Sequence, residues 1–155
     1  LRRLVKHTGL PAEKLAAFYS NSILNSDIDD DGWVILSYGK RKMGLRKKQD
    51  GTCMFLSNKR QCTAYEARPI SCRVLPIDVI LDEDKEIIDL ELSDVVVEKF
   101  IDCKHYSGKA VSHKKFMLNA TRSRDETASY WKKLEKWNNH PETGRKIDFL
   151  KFMGF

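Results

Sequence analysis

The sequence predicts an α+β fold: one small domain with two β-hairpins, a loop-rich cysteine section and flanking helices. Three observations carry this. Short apolar segments bracket turn residues at Gly39 and at Asp82 to Lys85. A helical periodicity runs late in the chain, and the stretch between the two hairpins, Asp50 to Pro76, is rich in turn formers and holds three of the four cysteines. In chain order, Pro11 ahead of Ala12, Glu13, Lys14 and Leu15 predicts a helix entered through proline and running to about Ser22, with Leu15, Phe18 and Tyr19 on its buried face. The acidic run Asp27 to Gly32 reads as a turn, and Trp33–Tyr38 with Lys42–Arg46 as a hairpin around Gly39. Ile77–Leu81 and Glu86–Leu92 form the second hairpin. From Thr121 to Asn138 the pattern is helical, with Ala128, Trp131, Leu134 and Trp137 near one face. The apolar end, Ile147 to Met153, reads as a last helix that either packs back or docks on a partner.

Composition sets the limits. In 155 residues, 41% hydrophobic and 32% charged with a mean hydropathy of -0.50, no stretch approaches the ~20 apolar residues of a membrane helix. Three Trp, five Tyr and seven Phe give a folding chain apolar surface to bury. Four cysteines are too few for a disulfide-dense secreted scaffold, and a cytoplasmic location is expected. The chain begins at Leu1 rather than at Met, which reads as a fragment or a processed chain, so the lack of a leader carries no inference about compartment.

The net charge of +6 hides segregation. Lys40 to Lys48 holds six basic residues and no acid, whereas Asp78 to Asp102 holds ten acids against Lys85 and Lys99. Polarity reverses again from Cys103 to Arg124, with six basic residues and no acid. Such blocks suit other protein subunits, nucleic acid or an anionic surface, or they neutralise one another within the fold. The DxDDDG run at Asp27 to Gly32 suggests a calcium loop but lacks the closing glutamate, since Ser37, Tyr38 and Gly39 stand near that position.

Cys53, Cys62, Cys72 and Cys103 make up one tetrahedral set of thiolates, without the close CxxC knuckles of a zinc ribbon. Their surroundings read GxCxFL at Gly51–Leu56, then CxxYxxRPxxCRxxP at Cys62–Pro76. A metal takes cysteine as the thiolate, and Arg68 and Arg73 near Cys72 supply positive charge and donors to sulfur. Tyr65 is placed to shield the centre from solvent, and Pro69 to open a short helix that Pro76 ends. Free cysteines also serve as small buried hydrophobes, and Cys53 with Cys62 could form a disulfide after metal loss. His105, two residues after Cys103, is a weaker ligand candidate; His7, His113 and His140 show no partner spacing.

These motifs resemble the YkgJ-type family of cysteine-cluster proteins, a zinc- or iron-chelating domain, with the flagellin lysine N-methylase as a divergent relative. The resemblance implies Cys53, Cys62 and Cys72 as metal ligands, Cys103 as the fourth, and Tyr65, Arg68 and Arg73 around the cofactor. Lys104 and His105 stand where the family has a proline and a glycine after the late cysteine. The family's CxxCC segment is expected upstream of Leu1. With those added thiolates there are more ligands than one zinc needs, which favours an iron–sulfur cluster over zinc. The function expected is therefore an electron-transfer or accessory subunit of a larger complex, with segregated charge and the C-terminal apolar tail as docking features. An enzymatic reading finds no glycine-rich nucleotide turn and no CxxxCxxC radical signature in the sequence. Nucleic-acid binding through Lys40 to Lys48 and Lys104 to Arg124, with Tyr106 and Phe116 interleaved, is the third reading and lacks a reader motif.

Overall fold

The computed structural model describes residues 1–24, 32–92, 112–139 and 144–155. The acidic run from Asp27 to Asp31, Cys103, His105, Tyr106 and His140 lie outside them. The chain forms two compact units, residues 1–69 with 130–155, and residues 70–129. Helices and antiparallel strands coexist, so the α+β class holds. Among the described residues, no helix is long and apolar enough to cross a membrane.

In the first unit, α1 (Arg2–Thr8) ends where Gly9 takes φ 69°, a left-handed closure that glycine adopts without a Cβ clash. Pro11 opens α2 (Ala12–Leu15), as expected, but the helix stops after one turn and Ala16–Tyr19 become strand β1. The reason lies 30 residues on, at Arg46. Its backbone N–H donates to the Leu15 carbonyl at 2.8 Å, and its guanidinium to the carbonyls of Lys14 and Glu13 at 3.1 Å each. Those three carbonyls would accept from Ala17, Phe18 and Tyr19 in a continued helix. Arg46 takes them over, and the freed residues pair with another strand. A short helix, α3 (Asn21–Leu24), follows.

Strands β2 (Val34–Leu36) and β3 (Gly39–Leu45) form the first expected hairpin, and β1 adds to the other side of β3, giving the order β1-β3-β2. Pairing of Phe18 with Met43 and of Val34 with Arg41 puts Phe18, Met43, Val34 and Leu36 on the core face. Tyr19, paired with Lys42, is on the opposite face rather than beside Phe18 in a helix. The core face packs against the end of α5 (His113–Asn138) and against α6 (Lys146–Phe152) through Leu134, Phe149 and Met153. At the start of α6 the Arg145 N–H donates to the Asp148 carboxylate at 2.8 Å and holds that carboxyl below its usual range. Of the α5 positions expected to be buried, Leu134 is buried and Trp137 half-buried, but Ala128 and Trp131 are exposed.

Within the apolar tail, Phe149, Leu150 and Met153 are buried in the core of their own unit, while Phe152 stands exposed. The chain end is also held, since Arg2 donates to the Gly154 carbonyl and stacks over the Phe155 ring.

The outer edge of β2 would expose unpaired backbone groups. Instead the Asn138 amide accepts from the Ile35 N–H at 2.9 Å and donates to the Trp33 carbonyl at 2.7 Å, while the Trp137 indole donates to the Ile35 carbonyl at 2.8 Å. Two side chains thus do what a neighbouring strand would. Asn138→Leu strands one donor and one acceptor in a part-buried setting. It should cost about 1–3 kcal/mol, read from urea denaturation. A change below ~0.5 kcal/mol, the range of ordinary surface substitutions, would show that water replaces the amide at no loss.

In the second unit, α4 (Ile70–Val74) ends before the cis Leu75–Pro76 bond, and β4 (Ile77–Leu81) pairs with β5 (Ile87–Leu92) as the second expected hairpin. Asp82 organises the turn by accepting from the Glu86 N–H at 2.8 Å. Arg124 on α5 bonds Glu86 at 2.7 Å, an instance of the basic segment neutralising the acidic one. The helix of α5 starts at His113, eight residues earlier than its periodicity suggested.

Candidate metal centre

Cys53 and Cys62 sit on two successive miniature hairpins. The first turns at Lys48–Gly51, closed by the Gly51 N–H on the Lys48 carbonyl at 3.1 Å, with Gly51 at φ 80°. The Thr52 hydroxyl and N–H both bond the Asp50 carboxylate, at 2.7 and 2.9 Å, and lower its pKa. Lys48 N–H to Thr52 carbonyl and Met54 N–H to Arg46 carbonyl flank the pair Lys47–Cys53. In this pattern the paired side chains are close and on one face.

The second hairpin repeats the design. Ser57 N–H to Gln61 carbonyl and Thr63 N–H to Phe55 carbonyl, each 2.8 Å, flank the pair Leu56–Cys62. A turn joins the two, the Leu56 N–H reaching the Cys53 carbonyl at 2.9 Å, and the Lys48 ammonium binds the Leu56 carbonyl. The residues of GxCxFL thereby acquire separate tasks. Gly51 makes the turn, Phe55 is buried with Leu4, Leu15, Ala64 and Ala67, and Leu56 lies opposite Cys62. Cys62 itself packs partly against that apolar cluster, whereas Cys53 is exposed.

A 3-10 turn, Tyr65–Ala67, follows and is pinned by buried Ala64 and Ala67. Tyr65 is 58% exposed, with the Arg68 guanidinium 3.9 Å above its ring, and Arg68 also donates to the Tyr65 carbonyl. Tyr65 therefore stands open to solvent under Arg68. Pro69 precedes α4, in which Cys72 is half-buried between buried Ile70 and Val74, with Arg73 next to it. Cys53 and Cys62 belong to the first unit and Cys72 to the second.

In kind, the donors fit a soft metal: Cys53, Cys62 and Cys72 are thiols outside any disulfide. In number, the described residues fall short, since among them no three His, Cys, Asp or Glu side chains form a group able to hold a metal ion. The cation opposite Cys53 is Lys47, a residue that the sequence reading counted only as part of a basic run. The Asp50-Gly51 turn between the two was the signal for it, because a tight turn there makes Lys47 and Cys53 partners.

No curated protein and no solved structure matches the chain. Residues 6–109, a span that takes in all four cysteines, match the family described as CxxCxxCC, putative zinc- or iron-chelating domain, and the chain belongs to that family.

Proposed function

We propose that this chain binds an iron–sulfur cluster through Cys53, Cys62, Cys72 and Cys103 and acts as an electron-transfer or accessory subunit of a larger complex. The observation that carries the reading is the match over residues 6–109 to a zinc- or iron-chelating family, with every cysteine of the chain inside it. The wide ligand spacing and the absence of any CxxC pair favour a cluster over a zinc knuckle. When bound, such a cluster supplies one-electron chemistry. The chain's own residues hold it as thiolates, with Lys47 opposite Cys53 and Arg73 beside Cys72 supplying positive charge. Because thiols must shed protons to bind, metal binding releases protons and weakens as pH falls.

Anaerobic purification with iron, sulfide and zinc analysis tests the reading. Brown protein with stoichiometric iron and sulfide supports it; colourless protein with one zinc replaces the cluster by a structural zinc site. Arg73→Met should retain the metal but weaken its hold or shift its potential, since groups around metal ligands typically contribute ~10–100-fold in affinity or activity. Unchanged affinity and potential would move that role to another cation.

A further inference from the structure

Leu56 is the residue at which the hairpins of Cys53 and Cys62 meet. Its N–H donates to the Cys53 carbonyl at 2.9 Å, it stands opposite Cys62 in a narrow pair, and its carbonyl accepts from the Lys48 ammonium. Lys48 is itself fixed in the turn of the first hairpin. There its N–H donates to the Thr52 carbonyl at 2.8 Å and its carbonyl accepts from the Gly51 N–H at 3.1 Å. The ammonium thus reaches out of one hairpin and closes on the backbone of the other. Asp50 lies in the field of the same ammonium, but its carboxylate is turned to the Thr52 N–H and hydroxyl, at 2.9 and 2.7 Å. Buried Phe55 and half-buried Met54 hold the junction to the core, whereas Lys48 makes its contact on the exposed side.

We infer that Lys48 is a positioning residue for the metal centre: it fixes the hairpin of Cys62 against that of Cys53 without being a ligand. The inference rests on the reading of these cysteines as metal ligands. Within each hairpin, backbone bonds set the place of its own cysteine. Between the hairpins the chain turns at Cys53–Leu56, and the Lys48 bond adds a second tie at the far side of Leu56. Ligands already held near their bound spacing lose less conformational freedom when the ion arrives, so affinity rises.

Titration of the anaerobically reduced, chelator-treated full chain with cadmium ion alone, followed by sulfur-to-cadmium absorption, tests the inference. Lys48→Met keeps an apolar stem and loses the donor. It should bind cadmium about tenfold more weakly, the lower end of what groups around metal ligands contribute. Its absorption at saturation should equal that of the wild type, since every thiol remains. Lys48→Arg, which can still donate to the Leu56 carbonyl, should restore most of the affinity. Lys59→Met, in the exposed turn of the second hairpin, removes the same charge and should change nothing. The urea midpoint of chelated Lys48→Met should stay near that of the wild type, because Phe55 and its neighbours hold the fold.

No cadmium binding by the wild type would remove the metal reading and this inference with it. Equal affinity in wild type and Lys48→Met would leave the metal reading standing and overturn the role of Lys48. An equal loss in Lys59→Met, or a parallel shift in the pH profile of Cys53 alkylation in Lys48→Met, would make the effect one of charge and not of position. A urea midpoint that falls in step with the affinity would make Lys48 a stabiliser of the fold and likewise end the proposal.

Discussion

Phe149→Ala should destabilise the first unit by about 3–5 kcal/mol, the range for removing a fully buried aromatic ring. The ring is 0% exposed and meets Phe18 and Trp137 edge-on, at centroid distances of 5.8 and 5.3 Å. It also packs with Val34, Leu36, Leu134 and Met153 in one buried cluster of the unit. Little can fill the void, because its neighbours come from strands fixed by β-pairing and from two helices. Urea denaturation of the variant checks the figure. Deleting residues 149–155 should unfold the unit outright, whereas a docking tail would leave it stable and impair only capture of a partner. A cost below ~1 kcal/mol for Phe149→Ala would instead favour a docking tail.

Both hairpins were legible because each is a local contact, closed by a short turn between apolar strands, and local pattern decides it. Ala16 to Tyr19 was not. Its composition favours helix, and the fold overrules it through Arg46, whose hydrogen bonds to the carbonyls of Leu15, Lys14 and Glu13 no local window contains. Trp131 illustrates a second limit. Helical spacing places it near Leu134, yet its indole is 39% exposed, because the sheet narrows what the helix can cover to the last two turns. In the candidate site, the motif singled out the cysteines from sequence alone. It did not give the pairing of Lys47 with Cys53, nor the exposure of Tyr65, both of which follow from backbone geometry. The charge blocks were legible as blocks. Their partners were not, since Arg124 finds Glu86 while Arg46 finds backbone carbonyls and Lys47 a tyrosine ring.

Cys53→Ser and Cys62→Ser should each abolish stoichiometric metal, and the contrast between them separates ligation from packing. Cys62 lies against Phe55, Leu4 and their neighbours, so its replacement puts a hydroxyl into apolar contact and costs stability with or without metal. Cys53 is exposed and contributes nothing to the buried clusters. In chelator-treated protein, Cys53→Ser should therefore match the wild type within ~0.5 kcal/mol, as surface substitutions do. In metal-loaded preparations it should lose whatever stability the metal confers, because metal-binding free energy at a site organised by binding is folding free energy. Serine keeps nearly the size of cysteine but gives a hard, weakly acidic oxygen in place of a soft thiolate, so the donor alone changes. Iron and zinc content, with thermal denaturation before and after chelation, reads both effects. Full metal in both variants would sink the ligand assignment. Loss of stability in chelated Cys53→Ser would show that Cys53 serves the hairpin with Lys47 and not a metal.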